Sequence, residues 1–168
     1  VPADSADVAP QNVVARVATE DDAPFLRNLF FEIRAPEFAP AQLSPEQLAA
    51  LLDQQYAAMK LHYGRVFPDA VYWVLECDGT PVGYEVIREG RELHLIDIAV
   101  LPTFQNRGIG TRRMQALLNR GLNCGKSIFL SVEIFNPAQR LYERLGFRDY
   151  EQIGIYKRMR WSPVTAST

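Results

Sequence analysis

Apolar positions change their period along the chain, and each change marks an element. Val13 to Val17 reads as a short strand, after which Thr19 and Asp22 form a capping pair ahead of Leu26, Leu29, Phe30 and Ile33 on one helical face. Ala35-Pro36-Glu37 ends that helix, and Ser44-Pro45-Glu46-Gln47 opens another, with Leu48, Leu51, Leu52 and Met59 as its buried side. Val71 to Cys77 and Pro81 to Arg88, rich in β-branched and aromatic residues, predict a hairpin across Asp78-Gly79-Thr80. A second turn at Glu89-Gly90-Arg91 leads into Leu93 to Leu101, a nearly continuous apolar run that predicts a central strand covered on both faces. Gly110, Met114, Leu117, Leu118 and Gly121 then fall at helical spacing, and Ser127 to Phe135 reads as another buried strand. A strand, helix, strand passage of this kind makes those two strands parallel. Asn136 caps a last helix that Gly146 ends, and Phe147 to Ile153 with Ile155 to Met159 closes the sheet as a hairpin. The sum is an α/β domain with a mixed sheet, in the order β-α-α-β-β-β-α-β-α-β-β.

Composition narrows the classes. The chain has 168 residues, 48% of them hydrophobic, which fits a single domain spanning 1–168. Its ordered core is expected at about 12–161, with loosely ordered ends through Gln11 and from Ser162. A net charge of -2 gives no global attraction to nucleic acid or to an anionic membrane. Cys77 and Cys124 are too few for a disulfide framework and are not spaced for a metal. No apolar run is long enough to span a bilayer, and the opening residues, with Asp4 and Asp7, lack the regions of a signal peptide. The expected compartment is the cytoplasm.

Candidate chemistry centres on Gln105-Asn106-Arg107-Gly108-Ile109-Gly110, which joins the apolar strand to the helix. A helix start has backbone N–H groups without intrahelical partners and the positive end of the aligned peptide dipoles, so it suits phosphate oxygens. Gly108 and Gly110 let the backbone approach a diphosphate closely, and Arg107 adds a cation. Alone, these residues fit an ordinary glycine-bearing connection equally well.

The spacing Gln105-x-x-Gly108-x-Gly110 after Ile98-Ala99-Val100-Leu101-Pro102 resembles motif A of the GCN5-related N-acetyltransferases, the GNAT superfamily. The stretch Asn136 to Phe147, with an Asn opening a helix that carries Tyr142 and ends in Gly146-Phe147, is similar to the family's motif B. The resemblance covers roughly Leu93 to Tyr150 and implies the GNAT fold, with splayed parallel fourth and fifth strands, and acetyl-CoA as cofactor. By that resemblance Ile98, Ala99 and Val100 lend backbone groups to the pantetheine arm. Gln105, Asn106, Arg107, Gly108, Ile109, Gly110 and Thr111 cradle the diphosphate. Asn136 contacts the pantetheine region, and Tyr142 lies near the sulfur as general acid. From periodicity alone, Tyr142 reads first as a core residue on the face formed with Ala138, Leu141 and Leu145, and it is the motif around it that favours the catalytic reading.

An alkylammonium is neutral in only about one molecule in 2,500 at pH 7, so the acceptor must lose a proton before attacking a thioester. Three residues are candidate bases. Asp97 is a charge inside an apolar strand, where burial raises a carboxyl pKa; His94 has a suitable intrinsic pKa; Glu133 sits near the end of the parallel neighbour. Each also has a structural alternative, and a water relay is a fourth possibility. The acceptor pocket is expected from Arg34 to Ser44, from Tyr56, Tyr63, Phe67, Tyr72 and Trp73, and from the Gln152 to Tyr156 turn, with Glu37 and Asp69 attracting a cationic amine. The implied function is acetyl transfer from acetyl-CoA to a small-molecule or peptide amine in a ternary complex, by a monomer or homodimer. The alternative is an acyl-CoA-binding sensor or scaffold module without turnover. A nucleotide-binding domain is disfavoured, because the chain has neither the Lys-Ser/Thr ending of a phosphate loop nor a strand-associated Gly-x-Gly-x-x-Gly.

Overall fold

A computed structural model describes residues 12–163, so the expectations for the two ends fall mostly outside the described residues. Seven strands, β1 (Val13–Val17), β2 (Ala70–Cys77), β3 (Thr80–Glu89), β4 (Leu93–Val100), β5 (Ile128–Glu133), β6 (Arg148–Ile153) and β7 (Tyr156–Trp161), form one sheet in the order β1-β2-β3-β4-β5-β7-β6. Helices α1 (Ala23–Arg34) and α2 (Pro45–Val66) accompany one face, and α3 (Ile109–Cys124) and α4 (Ala138–Arg144) the other. Only β4 and β5 run parallel; every other neighbouring pair is antiparallel. Among the described residues no helix is long and apolar enough to cross a membrane.

Local chemistry sets the boundaries. The Thr19 N–H donates to Asp22 Oδ2 at 2.7 Å, and Arg16 grips both Asp22 oxygens, so the entry to α1 is pinned to β1 through a short 3₁₀ turn. At α2 the box is reciprocal: the Gln47 N–H donates to Ser44 Oγ at 3.2 Å and the Ser44 N–H to Gln47 Oε1 at 2.9 Å. Asp78-Gly79, both at positive φ, make the two-residue turn of the β2–β3 hairpin. Gly146 at φ 95° stops the chain after α4, whose cap position is held by Pro137 rather than by the expected Asn136; the Asn136 side chain still accepts from the Ala138 N–H at 2.9 Å.

The α3 face holds the larger core, with Leu93, Leu95, Met114, Leu118, Ile128, Leu130, Phe147 and Met159 all buried. Each such side chain removed from water contributes about 1.5–3 kcal/mol. Inside this layer Glu85 of β3, 3% exposed, receives Arg113 of α3 through two hydrogen bonds at 2.7 and 3.1 Å. The opposite face is less complete. Leu26, Leu29, Val74, Tyr84 and Val86 form its core beneath α1, but Leu52 is the one fully buried side chain of α2, while Leu48, Leu51 and Met59 are half-buried. β4 packs on both sides, with Leu93, Leu95 and Ile98 toward α3 and Ile96 and Ala99 toward α1, whereas the reading of Ser127 to Phe135 as a buried strand is corrected for one face. β5 alternates between buried Ile128, Leu130 and Val132 and the more open Phe129, Ser131 and Glu133, because no helix lies tightly over that side.

Two irregularities position the site. The β4–β5 register runs from Leu93–Ile128 to Leu95–Leu130 and stops, so the two strands part beyond Leu95. At the same place β4 bulges against β3: Ile87 faces Leu95, Val86 faces Asp97, and Ile96 is the extra residue. Strict alternation would send Asp97 to the same side as Leu95. The bulge turns it toward α2 instead.

Candidate active site

The first cavity, about 400 Å³, opens on the α3 side of the parted strands. Asn106 at φ 60° and Gly108 at φ 77° turn the chain from β4 into α3, so the first-turn amides of α3 face this groove without i−4 carbonyl partners. A Cβ built at Gly108 or Gly110 meets nothing within 4 Å and would project into open space. Ile98, Val100, Gln105, Asn106, Gly108, Ile109, Gly110, Thr111, Asn136 and Tyr142 all line the groove. Gln105 is aimed by its own side chain, whose Nε2 donates to the Val100 carbonyl at 3.0 Å. Two residues of the expected set lie elsewhere: Ala99 lines the cavity on the opposite side, and the Arg107 guanidinium lies over the Phe104 ring, 5.2 Å from its centroid, outside the groove lining. Amides at a helix start, no side chain over them, and an unpaired strand edge fit a diphosphate joined to an extended amide-bearing arm.

The second cavity, about 770 Å³, lies toward α1 and α2 and shares Ile98, Val100, Gln105, Asn136 and Tyr142 with the first. Tyr142 thus stands where the two meet, on the helix turn facing Phe147, 5.9 Å between ring centroids. Burial, and then the nearby Asp97 charge, push the Tyr142 hydroxyl up to about 12, so it is a proton donor at neutral pH. Asp97 faces this cavity and accepts hydrogen bonds from Tyr84 Oη at 2.7 Å and Tyr63 Oη at 3.3 Å. Loss of water around its carboxyl raises its pKa against the opposing pull of those hydroxyls and of the Ile98 amide. Burial also raises Tyr63, Tyr84 and Tyr72, so all three stay protonated beside it.

The three candidate bases are separated. Glu133 lines the same cavity as Asp97 but is exposed, accepting from Tyr156 Oη at 3.3 Å. His94 lies in a third cavity, about 910 Å³, edge-on to Phe67 at 5.2 Å, where burial and then Arg88 and Arg158 lower its pKa. Of the expected acceptor-pocket residues, Arg34, Glu37, Tyr63 and Tyr156 line the second cavity. Tyr56 instead packs on Phe30, 5.3 Å between centroids, Phe67 lines the third cavity, and Trp73 packs against the α3-face core. Tyr84 and Gln55 escape the sequence reading. The signal for Tyr84 is a tyrosine within an inward-facing strand, whose hydroxyl needs a buried partner, and Asp97 is that partner. Arg34 Nε and Gln55 Oε1, both on the second cavity, are buried and make no hydrogen bond among the described residues.

The same architecture recurs in solved proteins. PaiA N-acetyltransferase from Thermoplasma acidophilum in complex with coenzyme A superposes with a TM-score of 0.67 at 17% identity, covering 90% of this chain and 99% of that one. Spermidine N-acetyltransferase from Vibrio cholerae in complex with CoA and spermine gives 0.60 at 21% identity, over 89% and 95%. These likenesses show the fold. In sequence, an N-alpha-acetyltransferase of Sulfurisphaera tokodaii is 29% identical over 107 residues, 52% of this chain; the match spans 62% of that protein's length. The profile of the Acetyltransferase (GNAT) family matches residues 28–147, a span that contains the bulged β4, the amide-lined groove and Tyr142 alike. By that match the chain belongs to the GNAT acetyltransferase family.

Proposed function

We propose that the chain transfers the acetyl group of acetyl-CoA to a primary amine of a small molecule or peptide by direct attack with both bound. The observation that carries this reading is the junction at Tyr142, where an anion-suited groove and an acidic cavity approach the gap between β4 and β5 from opposite faces. When bound, the cofactor supplies an activated acyl thioester. The α3 amides from Gly108 to Thr111 hold its diphosphate, and the parted edge at Ile98 to Val100 aligns its amide-bearing arm. On the other side, Glu37 and Glu133 draw in a cationic amine, and Asp97 takes its proton. Asp97 is favoured over His94 because it borders the cavity that contains Tyr142, and over Glu133 because burial raises its pKa toward neutrality. Tyr142 Oη gives a proton to the departing sulfur and is restored by the second proton the nitrogen loses as the amide forms, while the first leaves Asp97 for water, so the products are an amide, a thiol and one released proton.

Calorimetry with acetyl-CoA, ATP and NAD, followed by free-thiol release over a panel of amines, tests this. Selective acetyl-CoA binding with release for at least one amine is expected. Binding with no release for every acceptor would make the chain an acyl-CoA-binding module, and no binding would reject the groove assignment.

A further inference from the structure

The third cavity extends the acceptor side of the sheet, and its charge is opposite to that of the second. The two share Tyr63, Ile96, Leu130, Ser131 and Tyr156, so they form one continuous cleft between α2 and the β6–β7 hairpin. Around the second cavity stand Glu37, Asp97 and Glu133 against Arg34 alone. Around the third stand Arg88, Arg91 and Arg158 against Glu92 alone.

Strand register explains why the cations gather there. Arg88 of β3 pairs with His94 of β4, His94 with Phe129 of β5, and Phe129 with Arg160 of β7, so these four form one row across the open face. The next row places Ser131 beside Arg158. Arg160 lies over the Phe129 ring at 5.0 Å and reaches Glu92 at 3.4 Å, while Arg158 meets Glu151 at 2.8 Å across a largely exposed contact. Arg88 and Arg91 make no ion pair among the described residues. Between the two charged ends run Ile96, Phe67, His94 and Phe129, an apolar and aromatic floor. Arg88 stands opposite His94 and Val86 opposite Asp97, so the backbone beneath the two ends is about 7 Å apart across the bulge, and the long arginine stems extend the reach between the charged groups to about 10 Å.

We infer that the acceptor is bipolar: its amine lies among Glu37, Asp97 and Glu133, and an anionic group at its other end, about 10 Å away across an apolar body, lies on Arg88, Arg91 and Arg158. A polyamine of the same length would place its second ammonium beside three guanidiniums. The cleft therefore discriminates against it.

This inference rests on the acetyl-transfer reading, and matched acceptors separate the two. A terminal aminooctanoic acid, whose extended chain holds amine and carboxylate about 10 Å apart, is compared with octylamine and with a terminal diaminooctane by thiol release. The amino acid is expected to have a kcat/KM at least about tenfold above octylamine through a lower KM, the diamine to fall below octylamine, and the preference to shrink at high salt. In the Arg88→Gln, Arg158→Gln double variant the acid-to-octylamine ratio should fall to within about threefold, and Arg88→Glu should shift preference toward the diamine. Thiol release from all three acceptors at equal efficiency, a preference for the diamine in the unaltered protein, or a ratio that survives the double variant would overturn the bipolar acceptor and leave acetyl transfer standing. No release from any of them would overturn both.

Discussion

The groove at the start of α3 makes a prediction in which folding and binding separate. Gly108 sits at φ 77°, a left-handed conformation that costs a residue with a side chain about 1–2 kcal/mol, yet a Cβ there meets nothing within 4 Å, so no steric term adds to it. In a chain of this size that loss lowers Tm by about 2–4 °C per kcal/mol. Gly108→Glu pays the same backbone cost but places a carboxylate beside the positive end of α3, which returns about 0.3–1 kcal/mol. Thermal denaturation should therefore find Gly108→Ala and Gly108→Glu within a few degrees of each other. Binding should differ. A carboxylate about 4 Å from one phosphate charge, at an effective dielectric of about 20, is repelled by about 4 kcal/mol before salt screening, on the order of a thousandfold in affinity. Isothermal calorimetry with acetyl-CoA should show Gly108→Ala weakened by less than about tenfold and Gly108→Glu by at least about a hundredfold. A folded Gly108→Glu protein that binds within about threefold of the unaltered chain would refute the placement of the diphosphate on these amides.

Further outcomes follow from the buried charges and from the junction. Tyr142→Phe should lower kcat by about tenfold to a hundredfold, at or below the low end of general acid contributions because a thiolate leaves readily, with acetyl-CoA affinity by calorimetry nearly unchanged. Equal kcat would return the hydroxyl to a packing role. Arg113→Met leaves the Glu85 carboxylate buried without its two donors and should cost about 3–5 kcal/mol in chemical denaturation, whereas replacing both partners by Leu and Met should cost far less. Because burial raises Asp97, its ionisation favours the unfolded chain: the stability of the neutral form is complete below the unfolded pKa and is lost as pH rises through the folded one. Asp97→Asn should thus match the unaltered protein in Tm below about pH 4 and exceed it at neutral pH, while losing the rise of kcat/KM with pH that a base with a raised pKa imposes. An Asn variant less stable at pH 7, or with that rise intact, would remove Asp97 from the role.

The parts of this molecule legible in the sequence are those fixed by near neighbours. Ser44 and Gln47 lie three residues apart and cap each other; Asp78 and Gly79 carry their turn within themselves; the helix period of Met114, Leu117 and Leu118 finds its buried face on any sheet. Even β5 carried a readable hint, since Ser131 and Glu133 alternate with Leu130 and Val132 and disclose an open side. The site itself depends on register between strands. Asp97 is conspicuous as a charge in an apolar run, but its tyrosine partners lie 13 and 34 residues away, and nothing in Leu95-Ile96-Asp97, with no glycine or proline, announces the bulge. That single extra residue turns Asp97 onto the face that already carries His94, three positions earlier, and there the two line neighbouring cavities, a difference in place that sequence reasoning could not resolve. It also coincides with the last β4–β5 pair, Leu95 with Leu130. Past that point β4 has exchanged a continuous ladder for an edge, a cost in backbone pairing that a partner with its own amides can offset. The defect in the sheet and the capacity to bind are then one structural fact, and restoring a regular β4 would be expected to strengthen the fold and close the gap between the two cavities together.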